Sequence, residues 1–355
     1  MGKDGYSREG FFGEIIHYDS KGHKIGESRP SFFGGYNNYD TKGHKIGETR
    51  PGFYVKGQIV DLEEQKMNNI EILQETLQIL DTGKYKVNGK EVKLQLSKDR
   101  MEASHVLLPA DVQDICSRKL DRKAVASPCR IDCVKQDSYV AAIEMTRDRQ
   151  NAGDLSKPAL VLNFANPVNI GGGVYKGARA QEEDLCRRSS LLRSLETSHS
   201  LRYYSYNRKL HTHMGSDAMI FSPEVEIFRD EHGELMDETV IVAVLTCAAP
   251  MITYSMEGMS ESEYRGMFYN RIVGVLKSAA YFGYEDLVLG AWGCGAFGND
   301  AAIVSNLFDR ALKELNWAGL HTYDLFNTIV FAIRSRGEES YNYKEFNRNF
   351  RYGNT

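Results

Sequence analysis

Three consecutive glycines, Gly171, Gly172 and Gly173, are followed after a spacer of seven residues by Gln181, Glu182 and Glu183. Glycines let a backbone take positive φ and approach a ligand closely. Paired carboxylates beside such a loop suit acid catalysis on whatever the loop holds. Adjacent positions on a helix point about 100° apart, given ~3.6 residues per turn, so two acids cannot meet the same atom in the same way. One can hold a hydroxyl while the other presents its proton. Burial and a nearby diphosphate would both raise a carboxyl pKa and keep it protonated near neutral pH. The competing reading is that acids favour the first turn of any helix. Spacing alone does not rank the two glutamates.

A second glycine-rich stretch, Gly290 to Asn299, follows the apolar run Leu287–Leu289 and leads into a helix opened by Asp300 and Ala301. A loop of this kind at a helix N-terminus presents free backbone N–H groups to an anion. Two such loops on one sheet edge suit a diphosphate, although glycine-rich turns also occur where chains pass close together. Neither loop ends in Gly-Lys-Ser/Thr, which argues against ATP or GTP hydrolysis. Gly293-x-Gly295-x-x-Gly298 fits the bare dinucleotide string. It lacks the second half of that fold and any hydride-transfer partner, so NAD chemistry has little support.

The elements that must position these loops follow from periodicity. Ala159–Phe164, Val240–Ala248, Asp286–Ala291 and Asn327–Ile333 read as strands, and Gly177–Glu196, Glu261–Tyr281 and Asp300–Leu315 as helices. Near-continuous apolar strands between helices indicate an α/β domain with a sheet covered on both faces. Ligands in such folds sit beyond the C-terminal strand ends, where both loops fall. Upstream, Leu62, Ile70, Leu73, Leu77 and Leu80 mark a helix closed by Gly83, and Lys86–Val92 reads as a hairpin on Asn88-Gly89. A further helical run covers Tyr139–Arg149.

Residues 1–57 have a different character. Tyr18–Gly26 (YDSKGHKIG) returns 21 residues later as Tyr39–Gly47 (YDTKGHKIG), and the same offset relates Phe11-Phe12-Gly13 to Phe32-Phe33-Gly34. This is a tandem repeat with tight turns at Asp-Ser-Lys-Gly and Asp-Thr-Lys-Gly. A hairpin array and an extended tail both fit it. It reads as a tether or packing arm, or as a module whose aromatics dock an unknown partner.

A formal net charge of −4 gives no global attraction to nucleic acid or to an anionic membrane, so local geometry must hold any anionic ligand. No apolar run is long enough to span a bilayer. The polar start MGKDGYSREG lacks the apolar stretch of a secretory leader. The expectation is a cytoplasmic or nuclear chain, not a secreted one, whose six cysteines are reduced thiols. Cys129 and Cys133 lack the further ligands of a zinc site, and neither a metal nor a cofactor is called for.

Taken together, GGG, a short spacer and QEE resemble the poly(ADP-ribose) glycohydrolase family, in its microbial-type catalytic domain. Gly290–Asp300 (GAWGCGAFGND) resembles that family's second phosphate loop. Asn163-Phe164-Ala165-Asn166, Ser222-Pro223 with Phe228-Arg229-Asp230, and Ala248-Ala249-Pro250 support the match, which runs over roughly residues 59–335. The resemblance implies a macrodomain-like three-layer α/β fold, a central mixed sheet between helices, in residues 58–355, with a helical accessory region at its start. The repeat extension, 1–57, lies outside it. It implies metal-independent hydrolysis of the ribose–ribose bonds of poly(ADP-ribose), or of ADP-ribosylated proteins as substrate, and so the reversal of ADP-ribosylation, as in DNA damage responses. By position Glu183 matches the catalytic acid, and Glu182 the residue that binds ribose hydroxyls. Gly171–Gly173 with Val174 and Gln181, and Gly293, Cys294, Gly295, Ala296, Phe297 and Gly298, match the substrate-binding segments. Phe297 would pack on a ribose near the diphosphate, and Asn166 would position the terminal ribose. Alternatives within this resemblance are a mono-ADP-ribosyl or O-acetyl-ADP-ribose hydrolase and a non-enzymatic reader; an intact QEE argues against the last.

Overall fold

The apolar runs at 160–164, 286–289 and 328–332 become the middle of one sheet in the computed structural model, which describes residues 62–119, 124–125, 129–154, 157–253, 256–335 and 339–351, and before them 6–9, 15–18, 23–30, 36–42, 44–49, 53–55 and 58–60. The chain divides into two units, Met1–Asn68 and Asn69–Thr355.

The larger unit is built on seven strands: β1 His105–Leu107, β2 Arg130–Val134, β3 Leu160–Phe164, β4 Met219–Arg229, β5 Leu235–Cys247, β6 Asp286–Leu289 and β7 Thr328–Ala332. Their order is β1-β4-β5-β3-β6-β7-β2. The last five run parallel, while β4 is antiparallel to β5 and β1 to β4. The helices include α1 Leu62–Thr82, α2 Pro109–Ser117, α3 Ser138–Asn151, α4 Gln181–Arg188, α5 Leu191–Leu195, α6 Leu201–Lys209, α7 Glu261–Tyr281, α8 Ala301–Glu314 and α9 Tyr341–Phe350.

Alternate strand residues point to opposite faces, and the sheet is apolar on both. Leu160, Leu162, Leu287, Leu289 and Phe331 pack with Phe268, Phe308 and Phe346 of α7, α8 and α9. Val161, Val244, Val288 and Val330 pack with Tyr139, Leu185, Leu192 and Tyr203 of α3 to α6. The result is the expected mixed sheet between two helical layers. Gly83, at φ 70°, ends α1, and Asn88 and Gly89 take the positive φ that a two-residue hairpin turn requires.

Two elements differ from the periodicity. The helical run read over Gly177–Glu196 starts only at Gln181 and breaks at Ser189–Ser190. There the Ser190 N–H donates to Glu226 O and the Glu226 N–H to Ser190 Oγ, so pairing with β4 displaces the helical bonds. β4 itself carries Pro223, which hides it in the sequence. The chain absorbs the missing ladder donor in a register shift between Ser222 and Val225.

In the smaller unit the strands Tyr6–Glu9, Ile15–Tyr18, Lys24–Pro30, Tyr36–Tyr39 and Lys45–Thr49 form an antiparallel meander in chain order. Ile15 pairs with Ser28, and Tyr36 with Thr49, each partner shifted by 21 residues, and both hairpins carry a shift at the equivalent step. Asp40 closes the second turn by accepting the Lys42 and His44 N–H groups at 2.8 and 2.9 Å. The aromatic clusters Phe11–Gly13 and Phe32–Gly34 lie outside the described residues. Among the described residues no helix is long and apolar enough to cross a membrane, and the six cysteines are unpaired thiols.

Candidate active site

The site starts where β3 ends. The Ala165 N–H donates to Cys247 O on β5, and the chain then turns at Asn166, whose Oδ1 accepts the Val168 and Asn169 N–H groups. Arg208 of α6 grips Val168 O through Nε and Nη2 at 3.0 and 2.7 Å, pinning the loop ahead of the glycine triplet. Gly171 and Gly172 sit at φ 60° and 61°, a conformation that side chains oppose. At Gly172 a Cβ would also stand far inside contact distance of Glu183 Oε1. Gly172 is glycine because the carboxylates press against it, whereas a Cβ at Gly171 would meet Leu192 and one at Gly173 would meet Ala178.

Helix α4 brings those carboxylates in. Gln181 fastens its first turn: Oε1 accepts the Phe164 N–H at 2.8 Å, and Nε2 donates to Leu162 O and Ser138 Oγ. Glu182 is 2% exposed. Its Oε1 accepts from Asn163 Nδ2 and its Oε2 from the Asn166 N–H at 2.7 Å. Burial first, and then the neighbouring Glu183, pushes the Glu182 pKa well above the usual carboxylate range. Glu183 is arranged differently. Its Oε1 accepts the Gly173 N–H at 2.8 Å, and its Oε2 has no hydrogen-bond partner among the described residues.

The second loop leaves β6. A Cβ at Gly290 would lie 2.7 Å from Ala332 O, so glycine lets β7 pass. Gly293 and Gly298 both take φ 75°. The N–H groups of Gly293, Gly295, Ala296 and Phe297 have no acceptor among the described residues, whereas those of Cys294 and Gly298 close turns onto Ala291 O and Gly295 O. A cavity of about 300 Å³ opens beside these free amides, between the loop, α4 and the end of β7.

The expected residues therefore separate. Gly171–Gly173, Asn166, Glu182 and Glu183 gather at the start of α4. Gln181, Gly293, Gly295, Ala296 and Phe297 line the cavity. Val174 does neither: it is fully buried in the core, because the turn after the triplet directs its apolar side chain inward. Cys294 packs against the core, with Sγ directed at Trp292 O, and burial pushes its thiol far up. Gly298 serves turn geometry against Thr253. The expectation that the triplet amides hold a diphosphate also changes. The Gly172 N–H donates to Asn169 O and the Gly173 N–H to Glu183, so both are committed to protein acceptors.

Sequence reasoning missed one wall of the cavity, which includes Asp137, Ser138, Asp184, Arg334 and Asn342. Asp137 caps α3 through Oδ1, which accepts from Tyr139, Val140 and buried Arg188 Nη1; the same Nη1 reaches Asp184 Oδ2 at 2.9 Å. The available signal was an Asp-Ser pair ahead of a helical run, a usual N-cap pattern, after a strand too short to stand out.

Residues 73–230 match the family model described as the catalytic domain of microbial-type PARG. Among solved structures, the chain is similar to poly(ADP-ribose) glycohydrolase from Thermomonospora curvata, at 30% identity over 80% of this chain and 100% of that one, with a TM-score of 0.71. It is also similar to the enzyme from Deinococcus radiodurans in complex with ADP-ribose, at 30% identity over 73% of this chain and 98% of that one, with a TM-score of 0.63. No curated protein matches it.

Proposed function

The chain belongs to the poly(ADP-ribose) glycohydrolase family, in its microbial form, and from that premise we propose that it hydrolyses the ribose–ribose O-glycosidic bonds of poly(ADP-ribose) to release ADP-ribose, with Glu183 as acid and base. The observation that carries the choice of residue is the asymmetry of the pair. Both Glu182 oxygens are occupied, whereas Glu183 has one oxygen fixed by the Gly173 N–H and the other free.

Protonated at Oε2, Glu183 gives its proton to the leaving ribose oxygen as the glycosidic bond breaks and positive charge develops at the anomeric carbon. The carboxylate then takes a proton from the water that adds to that carbon. Glu182, held by Asn163 and Asn166, orients ribose hydroxyls. The free amides of Gly293, Gly295, Ala296 and Phe297 receive the diphosphate, the Phe297 ring packs on the adjoining ribose, and Asn166 keeps Nδ2 for the terminal ribose. One carboxylate in both roles departs from the usual glycosidase pair; the diphosphate's charge near the anomeric carbon offers part of the compensation.

Residues 1–57 are assigned to a repeat extension that tethers or docks the enzyme, and 58–355 to the hydrolase. The likeness to solved enzymes over 80% of this chain supports that division. The assigned compartment is cytoplasm or nucleus.

Product analysis on polymer tests the reading. Wild type yields ADP-ribose monomer, and Glu183→Gln is slower by about 10²–10⁴-fold, the usual weight of a general acid. Near-wild-type release by Glu183→Gln would remove Glu183 from the role. Release only from singly modified protein would move the substrate to mono-ADP-ribose.

A further inference from the structure

We infer that Asn299 is a positioning residue for this reaction: its side-chain amide fixes the peptide orientations of the Gly290–Asn299 loop so that N–H groups, and not carbonyls, face the diphosphate. The inference rests on the glycohydrolase reading and names a residue outside the glycines and carboxylates that define it.

Asn299 is 4% exposed at the end of the loop. Its Nδ2 donates to Pro250 O at 2.8 Å and to Gly293 O at 2.9 Å, and its backbone N–H adds a second bond to Gly293 O. Its Oδ1 accepts from the Tyr264 hydroxyl of α7 at 2.6 Å. The two carbonyls set the amide's orientation, because only Nδ2 can donate to them, and Oδ1 is then left to accept the Tyr264 hydroxyl. One side chain thus ties together the diphosphate loop, the segment after β5 and helix α7.

The need for a clamp follows from the glycines. A peptide flanked by glycine turns over at little steric cost. In a trans peptide the C=O and N–H point in opposite directions. Holding Gly293 O on Asn299 therefore sends the Cys294 N–H to Ala291 O, at 3.1 Å, and keeps the Gly293 carbonyl away from an incoming anion. A neighbouring segment does the same further along. Thr253 Oγ1 donates to Ala296 O at 2.8 Å and the Ile252 N–H to Phe297 O at 2.9 Å, which turns the Phe297 amide the other way. With the Gly293, Ala296 and Phe297 carbonyls fastened to Asn299, Thr253 and Ile252, the loop keeps these oxygens from the anion and leaves its free amides available without reorganisation when the anion arrives.

The test uses the full chain with Asn299→Asp and Tyr264→Phe. In Asn299→Asp a carboxylate replaces the donor between two carbonyl oxygens and repels both. Tyr264→Phe removes only the hydroxyl that anchors the amide oxygen. By calorimetric titration the ADP-ribose Kd rises about tenfold or more in Asn299→Asp and about threefold in Tyr264→Phe, while adenosine, which has no phosphate, binds within twofold of wild type. On polymer KM rises and kcat stays within about threefold, because Glu183 stands on helix α4 and not on this loop. An unchanged ADP-ribose Kd in both variants, or equal weakening of adenosine, would reduce Asn299 to a structural role and overturn the inference. Failure of wild type to bind ADP-ribose would overturn the glycohydrolase reading, and this inference with it.

Discussion

The proposed division of labour between Glu182 and Glu183 rests on single hydrogen bonds. The Asn163 amide and the Asn166 N–H engage both oxygens of Glu182, whereas Glu183 accepts only the Gly173 N–H and keeps one oxygen without a partner among the described residues. Gly172 guards this arrangement. Gly172→Ala would force a Cβ against both carboxylates at φ 61°, so polymer hydrolysis should fall at least about 10²-fold, the scale of a misplaced general acid. The backbone strain adds about 1–2 kcal/mol of destabilisation. Assay and thermal melt together check it, and retained activity would mean the carboxylates do not depend on that contact. Gly295 is the opposite case: nothing lies within 4 Å of a Cβ built there, and it lines the cavity. Gly295→Val should leave stability within about 0.5 kcal/mol yet weaken ADP-ribose binding about tenfold, measured by titration. Unchanged affinity would show that the diphosphate does not lie over that amide.

Elements reach the site through buried polar bonds that apolar packing would not supply. Gln181 fastens α4 to β3, and Asn299 fastens the second loop to α7. Glu226 of β4 shows the same device serving the fold alone. Fully buried, it accepts the Gln95 and Leu96 N–H groups at 2.8 and 2.9 Å and the Thr239 hydroxyl at 2.6 Å. Glu226→Ala orphans three donors, so unfolding free energy should drop by roughly 3 kcal/mol or more, while kcat per folded molecule stays near wild type. Denaturant titration with activity normalised to folded protein checks both halves. A selective loss of kcat would connect this distant carboxylate to catalysis.

For the whole molecule, the buried Glu182 links stability to pH. Its folded pKa lies well above the ordinary value of 4.5, so above that value the folded chain keeps a proton that the unfolded chain has lost. Its contribution to stability is therefore greatest in acid and declines as pH rises toward the folded pKa. Glu182→Gln removes the titration. Its Tm relative to wild type should climb as pH rises above 4.5 toward the folded pKa, and a pH-independent difference would place the Glu182 pKa in the ordinary range. The smaller unit adds a separate regularity, since the 21-residue sequence repeat recurs as a repeat of strand register.

The sequence by itself determined much of this protein. Unbroken apolar runs specified central strands, since only a sheet covered on both faces buries every residue of such a run. GGG, QEE and GAWGCGAFGND marked both loops of the candidate site. What it could not reveal depended on contacts between distant segments. β4 was hidden by Pro223, and α4 was shortened by pairing at Ser190 with Glu226. Val174 and Cys294 turned inward because the core, not the local motif, claimed their side chains. The hydrogen-bond difference between two adjacent glutamates, on which their proposed ranking rests, also waited for the tertiary structure. Both share one local sequence, and only the fold brings Asn163, Asn166 and Gly173 to one oxygen or another, because hydrogen bonds are made in space and not along the chain.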